Sequence, residues 1–231
     1  MTPQPMATTL PGISIDCLVF GLENGRLNVL LAKHRDGIRQ GQWALPGGND
    51  LGMTEDLDSA ASRILQDVTS VHNLFLEQLQ AFGRADRFPN GRVVTIAYYA
   101  LVKQEEFEVA AGGPASDVKW WDIHEVPELV YDHREIFDFG LKTIRHKVRH
   151  EPIGFNLLPE KFTLLQLQEL YESILDVKLD KPNFRRKMMN MKLLVDCREK
   201  QQNVAHRAAA LYRFDEQIYS SLREQGFSFE F

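Results

Sequence analysis

Carboxylate and guanidinium side chains with a spacing suited to chemistry lie in the stretch 47–71. Glu55 comes eight residues before Arg63, and Asp67 comes four residues after it. Residues three and four apart lie on the same face of a helix. Carboxylate oxygens that converge on one point bind hard cations such as Mg²⁺. The stretch is therefore a candidate divalent-cation site, provided that enough carboxylates converge there.

The same stretch resembles the Nudix box, the metal-binding loop and helix of nucleoside-diphosphate hydrolases, with the form G-x5-E-x7-R-E-U-x-E-E-x-G-U (U, aliphatic). Glu55 and Arg63 keep the central spacing. Ile64 replaces the glutamate after the arginine, Asp67 and Val68 replace the glutamate pair, and the interval before Glu55 is one residue too long. Pyrophosphate hydrolysis needs a metal ion to neutralise the phosphates and activate water. We therefore expect no catalytic residue, no bound metal and no cofactor, with Glu55 and Asp67 as residual carboxylates and a reshaped loop before them.

Alternating strands and helices surround the box. The apolar pattern predicts a helix after an N-cap at Thr54, a helical turn over 124–129 and a longer helix over 133–150. Asn24 and Gly25 predict a hairpin turn. Strands are predicted over 13–20, 27–33, 76–83, 93–103 and 118–121. With the motif WALPGG at 43–48, this order resembles the α/β/α sandwich of Nudix domains over residues 11–150.

A second unit is predicted after a linker at 151–160, where two prolines and a glycine end the long helix. Thr163 and Gln166 are spaced as a capping box at the start of a helix over 163–177. A shorter helix over 183–191 and strands over 193–197 and 209–214 follow. This order is that of an α+β winged helix-turn-helix, which we assign to residues 161–231.

Positive charge is concentrated in this second unit. The chain has a net charge of −5, whereas residues 182–213 contain eight Lys or Arg against two acidic side chains. Clustered cations are what contacts to DNA phosphates require. Phe184, Met188 and Met191 are expected to face inward. The alternative to DNA binding is that the basic residues form a solvated helix face with no partner. The candidate DNA-binding residues are Arg185, Arg186, Lys187, Asn190, Lys192, Lys200 and Arg207.

From residue 13 to residue 214 the chain resembles one group, the Nudix-related bacterial transcriptional regulators. The resemblance is carried by DVKWW (117–121), YDH (131–133), EPIGFNLLPEKFTLLQLQELYE (151–172), DKPNFRRKM (180–188) and RAAALY (207–212). One branch of the group represses NAD biosynthesis and responds to ADP-ribose-type nucleotides, and a second regulates arabinose-type sugar catabolism. The stretches 91–101 and 151–159 are more similar to the sugar branch.

The resemblance implies a ligand-responsive DNA-binding regulator, of pentose catabolism if the sugar branch applies. It implies a double-stranded DNA operator, a homodimer and a small-molecule effector, which is either a pentose sugar or an ADP-ribose-like nucleotide. Three alternatives stay open: a repressor of NAD metabolism that senses ADP-ribose, an active Nudix hydrolase of ADP-ribose-like compounds, and a winged helix that binds protein. The sequence leaves repression and activation equally open.

Hydrogen-bonding and aromatic side chains near the box are the candidates for effector contact. Asp86 with Arg87 could instead be a surface ion pair, and His133 a residue at a helix N-terminus. The candidate effector-binding residues are Lys33, Trp43, Arg84, Asp86, Arg87, Arg92, Asp132 and His133.

Composition excludes some classes of protein. The sequence has no apolar run close to the roughly 20 residues of a membrane helix, and we do not expect residues 1–12 to act as a secretory signal. Cys17 and Cys197 lie far apart and outside metal-binding spacings, so reduced thiols and a cytoplasmic location are expected. Residues 1–10 are expected to be a disordered lead.

Overall fold

The computed structural model describes residues 12–202 and 208–231. The predicted lead and Arg207 therefore lie outside the described residues. The chain forms two compact units, one containing the chain up to Glu23 together with Leu27–Leu141, the other containing Asn24–Arg26 and Lys142–Phe231. The predicted domain borders at 150 and 160 stay predictions.

The first unit is built on a seven-stranded mixed sheet with the order β3-β2-β1-β6-β5, in which β4 pairs with β1 and β7 with β2. Strands β1 and β6 run parallel at its centre. The β1–β2 turn is confirmed, because Asn24 and Gly25 both have positive φ. The strands are β1 (Ile13–Glu23), β2 (Arg26–His34), β3 (Trp43–Ala44), β4 (Gly47–Gly48), β5 (Glu77–Phe82), β6 (Val94–Lys103) and β7 (Ala115–Asp122).

Helices cover both faces of this sheet, as expected for an α/β/α sandwich. Helix α1 (Leu57–Thr69) buries its apolar stripe against Ile15, Cys17 and Val19 of β1. Helix α2 (His133–His150) begins on the opposite face, where a Cβ at Gly140 would overlap Leu18. A larger residue at position 140 would therefore force the buried side chain of Leu18 to move.

Two local predictions in this unit were wrong. Asp56, not Thr54, caps α1, because its side chain accepts a hydrogen bond from the backbone N–H of Ser59 at 2.8 Å. Residues 124–129 form no helical turn; Leu129 instead bridges to Trp43. The backbone of Val130 also donates to the Trp43 carbonyl at 3.0 Å, so this segment is held extended against β3.

The second unit has the predicted winged helix order. Its elements are a 3₁₀ helix (Pro152–Leu157), α3 (Leu164–Leu175), α4 (Lys181–Asn190), β8 (Leu194–Lys200), β9 (Ala210–Phe214) and α5 (Glu216–Glu224). The capping box at Thr163 and Gln166 is confirmed. The predicted linker packs down, since Phe155 stacks on Phe214 with ring centroids 4.3 Å apart.

Helix α4 starts two residues earlier than predicted. Asp180 accepts from the backbone N–H of Asn183 at 3.0 Å and caps the helix. Pro182 lies in the first turn, where a residue without an N–H is tolerated. Pro182 is therefore part of the start of the helix.

Candidate functional site

Arg63 binds both residual carboxylates of the box. Its guanidinium donates to Glu55 through Nε at 2.8 Å and Nη2 at 2.7 Å, and to Asp67 through Nη1 at 3.4 Å. Nη2 also donates to the carbonyl of Asp50 at 2.6 Å. The hydrogen bond from Arg63 lowers the pKa of Glu55 below its ordinary range. The carboxylates that a bound metal ion would need are thus already paired with the Arg63 guanidinium.

Ile64 and Val68 occupy the two positions where the Nudix box has further glutamates. Each is 4% exposed and packs in the core between α1 and the sheet. Within the described residues, no group of three or more His, Cys, Asp or Glu side chains is placed to hold a metal ion. The residues present therefore do not fit the metal that the box resemblance implies.

A second cluster of charged side chains is buried beside strand β4. Arg87 makes a bidentate pair with Asp132, at 2.8 Å for both bonds, and reaches Asp16 at 3.3 Å. His133 lies 3.5 Å from Asp16 and accepts a hydrogen bond from the backbone N–H of Leu45 at 3.0 Å. We call Asp16, Arg87, Asp132 and His133 the buried tetrad.

Pairing of opposite charges explains how the tetrad is tolerated inside the protein, because one guanidinium contacts both carboxylates. Its members are only 5–6% exposed, and buried charges are costly unless paired and hydrogen-bonded. Burial alone would lower the pKa of the Arg87 guanidinium, but its bonds to Asp132 and the charge of Asp16 raise it above its ordinary value. The tetrad fastens β1, the loop after β5, the start of α2 and the Leu45 backbone to one another.

The structure brings three predicted effector residues, Arg87, Asp132 and His133, into this tetrad, where their polar groups bind each other. Sequence reasoning missed Asp16, whose signal is a lone carboxylate in the apolar run 13–20. The alternative that Asp86 and Arg87 form a surface pair is wrong.

Three further candidates lie on the exposed part of the same loop region. Asp86 pairs with Arg84 at 2.8 Å, and Arg84 also reaches Glu135 of α2 at 3.3 Å. Arg92 is exposed. These side chains can meet a ligand from solvent, whereas the tetrad beneath them cannot do so without rearrangement.

Lys33 and Trp43 lie together on an aromatic surface of the sheet. Trp43 contacts Trp121 edge to face with ring centroids 5.3 Å apart. The Lys33 ammonium lies 5.6 Å from the Trp43 ring, and the Lys119 ammonium lies 4.4 Å from the Trp121 ring. We call these four residues the tryptophan surface. Its members Trp121 and Lys119 were not predicted, although the register of β7 on β2 places them beside Val29 and Leu31.

The predicted inward-facing side chains of α4 are buried in two cases out of three. Phe184 and Met188 are buried, whereas Met191 is only partly so. Arg186 donates to Asn183 at 2.7 Å, which orders its side chain. The exposed candidates are Arg185, Arg186, Lys187, Asn190, Lys192 and Lys200.

Two other features of the described residues bear on the expectations above. No helix among them is long and apolar enough to cross a membrane. Cys17 and Cys197 are both free thiols, and burial raises the pKa of the Cys17 thiol.

Both units match family models. Residues 11–139 match the NUDIX domain, and residues 154–214 match the NrtR DNA-binding winged helix domain. A relative from Acinetobacter baylyi, named ADPR responsive transcriptional repressor NtrR, is 31% identical over 212 residues and covers 90% of this chain and 84% of its own.

Solved structures resemble the chain as well. The structure of Shewanella oneidensis NrtR complexed with a 27mer DNA is 28% identical with a TM-score of 0.71, covering 90% of this chain and 95% of its own. The structure of the NUDIX domain of that protein complexed with ADP ribose is 28% identical with a TM-score of 0.55. The match covers 62% of this chain and 94% of that one. None of these three descriptions mentions a sugar effector, so the similarity to the sugar branch gains no support from them.

Proposed function

The chain belongs to the NUDIX domain family and carries the winged helix of NrtR-type regulators, and from this we propose that it is a transcriptional repressor that releases its operator when ADP-ribose binds. The observation that carries the proposal is the combination of a NUDIX domain, in which Ile64 and Val68 replace two glutamates of the box, with a basic recognition helix. We place the protein in the cytoplasm, and we expect it to bind its operator as a homodimer.

The relatives support ADP-ribose over a pentose as effector. The Acinetobacter relative is named ADPR responsive and spans most of this chain. The NUDIX domain that was solved with ADP ribose matches the first unit. We therefore rank the sugar effector second, as an outcome of the test below.

We place the nucleotide on the tryptophan surface. Aromatic rings stack on bases and contribute about 1–3 kcal/mol per base, and the ammonium groups of Lys33 and Lys119 can pair with a diphosphate. Arg84 and Arg92 lie on the exposed loop after β5 and are further candidates for phosphate contact. The buried tetrad then has a structural role instead of the predicted ligand-binding one. It fixes the loop after β5 and the start of α2 in position relative to the box, to which it is linked through the Leu45 backbone.

Effector binding without hydrolysis is part of the proposal. Ile64 and Val68 are buried where carboxylates would be needed, and Glu55 and Asp67 are bound by Arg63. Hydrolysis of pyrophosphate depends on a metal that activates water. An ADP-ribose hydrolase that acts through this box is the second candidate, and product analysis of the ligand after incubation with Mg²⁺ distinguishes it.

DNA recognition is assigned to α4. Its exposed Arg185, Arg186, Lys187 and Asn190 suit the major groove, where arginine pairs with guanine and asparagine with adenine. Lys192 and Lys200 suit phosphates, and so does Arg207, which lies outside the described residues.

A gel-shift or fluorescence anisotropy titration with the upstream region of its own gene tests the DNA assignment. The double variant Arg185→Ala with Arg186→Ala should weaken binding strongly, while Arg134→Ala serves as a control for the loss of an exposed arginine outside the winged helix. Binding should also weaken steeply between about 50 and 200 mM salt, because phosphate contacts release counterions. Intact binding by the double variant contradicts the assignment.

A further inference from the structure

The stretch after α5 folds back onto the helix-turn-helix. Gly226 has a φ of +89°, and the N–H of Phe227 donates to the Leu222 carbonyl at 2.9 Å, which closes the end of α5. The residues that follow read Phe-Ser-Phe-Glu-Phe, an alternation typical of extended chain with one buried face. Phe229 is 2% exposed, whereas the serine and glutamate on either side of it are exposed.

Phe231 ends this stretch against the recognition helix. Its N–H donates to the Arg149 carbonyl at 2.7 Å, which pins the backbone to the end of α2. Its ring lies 4.4 Å from the ring of Tyr171 on α3 and 5.5 Å from that of Phe184 on α4. The ammonium of Lys187 lies 5.4 Å from the centroid of the same ring.

We propose that Phe231 is a positioning residue for DNA binding, which holds the Lys187 ammonium in place for a phosphate contact. The ring's negative face attracts the cation. A free lysine loses considerable rotamer freedom when it is ordered at an interface, so a side chain that is already held against a ring binds at a lower cost. This inference rests on the proposed DNA-binding function. Phe231 lies beyond residues 154–214, so the winged helix match does not itself assign this role.

The side chains around Lys187 leave it available for that contact. Lys187 is exposed on α4, one turn from Asn183 and beside Arg186, whose own guanidinium is bound to Asn183. Asp180 lies at the start of the same helix, where it accepts from a backbone N–H. Among the described residues, the recorded interaction of the Lys187 ammonium is the one with the Phe231 ring.

The test uses variants of the full chain that separate packing from the cation–ring contact. Phe231→Leu keeps an apolar side chain in the cluster and removes the ring, whereas Phe231→Tyr keeps the ring. Ser228→Ala, on the opposite face of the same stretch, is the matched control. Affinity for a fluorescein-labelled duplex of mixed sequence is measured by anisotropy at several salt concentrations, because a phosphate contact acts on any sequence.

We expect Phe231→Leu to weaken binding by about two- to fivefold per bound chain, the size of an exposed cation–ring contact. The slope of log affinity against log salt should fall in Phe231→Leu by up to about 0.9 per chain, the contribution of one phosphate, and by that full amount in Lys187→Ala. Phe231→Tyr and Ser228→Ala should match the wild type. A residue that only stabilises the fold would lower the melting temperature and leave the salt slope unchanged.

Lys187→Ala completes a double-mutant cycle with Phe231→Leu. If the ring acts through the lysine, the double variant binds no more weakly than Lys187→Ala alone. An unchanged salt slope in Phe231→Leu, tighter binding, or fully additive effects would overturn the inference while leaving the proposed function intact. Failure of the wild type to bind duplex DNA would instead overturn the proposed function, and this inference with it.

Discussion

Replacement of Arg87 by methionine tests the role of the buried tetrad. The substitution keeps an unbranched apolar side chain and removes the guanidinium that contacts both Asp132 and Asp16, which leaves His133 beside Asp16 alone. The side chains of these two carboxylates are 2% and 7% exposed. Without Arg87 they would lie buried and close together with no compensating charge.

The expected cost follows from that geometry. Removing one partner of a buried ion pair destabilises a protein by about 3–5 kcal/mol, because the remaining charge is left without compensation. Protonation of an orphaned carboxylate relieves part of this cost, so the deficit should shrink as the pH falls from about 7.5 towards about 5. Few point substitutions outside a packed core cost as much.

Urea unfolding followed by tryptophan fluorescence measures this cost. The three tryptophans, at positions 43, 120 and 121, all lie in the first unit, so the signal reports that unit. Arg84→Met is the matched control, because Arg84 is 60% exposed and pairs with exposed carboxylates. Exposed ion pairs contribute about 0–1 kcal/mol.

The comparison of the two variants decides the matter. Arg87→Met should lower the free energy of unfolding by several kcal/mol more than Arg84→Met does. Equal and small losses of unfolding free energy in the two variants would refute the view that the tetrad holds α2 against the sheet. Arg87 would then again be a candidate for direct contact with the effector.

Three further predictions concern the effector and the box. Trp43→Ala should weaken ADP-ribose binding at least fivefold in calorimetry, about 1 kcal/mol or more of lost stacking. Trp120→Ala is the control, because Trp120 alternates with Trp121 along β7 and so points to the other face of the sheet. Equal losses in both variants would contradict the assignment. Excess EDTA should leave the affinity for ADP-ribose unchanged, because Glu55 and Asp67 are paired with Arg63 and do not hold a metal ion. A tenfold loss of affinity that Mg²⁺ restores would instead show a metal-dependent site. Because Arg63 lowers the pKa of Glu55, the stability that this carboxylate contributes is fully present above its ordinary value of 4.5, and it is lost as the pH falls below that value and through the lowered pKa. In Glu55→Gln the free energy of unfolding should therefore fall less steeply at acidic pH than in the wild type. An identical acidic pH dependence in the wild type and the variant would contradict the pairing with Arg63.

Much of the fold could be predicted because it depends on local patterns. The apolar periodicity of α1, the turn at Asn24 and Gly25, and the capping box at Thr163 are each set by residues close in sequence. The errors were also local. Thr54 and Asp56 are both residue types that favour N-caps, and in the structure it is Asp56 whose side chain accepts from the N–H of Ser59. The segment 124–129 has a helical pattern but is held by hydrogen bonds to Trp43 that the sequence does not reveal.

The candidate site depends on contacts across long sequence separations. Arg87 lies 45 residues before Asp132 and 71 residues after Asp16. The sequence alone led to three tetrad members being predicted as ligand contacts. It did not show that their polar groups would form hydrogen bonds and ion pairs with one another. In the same way, Lys33 and Trp43 were found from the motif that contains Trp43, whereas Trp121 joins them only through the pairing of β7 with β2.

The most direct test of the central claim is the effect of ADP-ribose on DNA binding by the intact protein. Anisotropy titrations with the upstream region of its own gene should show high affinity without ligand and a loss of at least tenfold with saturating ADP-ribose, while arabinose and xylose have no effect. The ADP-ribose should be recovered intact after incubation with Mg²⁺. Affinity that ADP-ribose leaves unchanged, or that arabinose reduces instead, would contradict the account, as would conversion of the ligand to AMP and ribose phosphate.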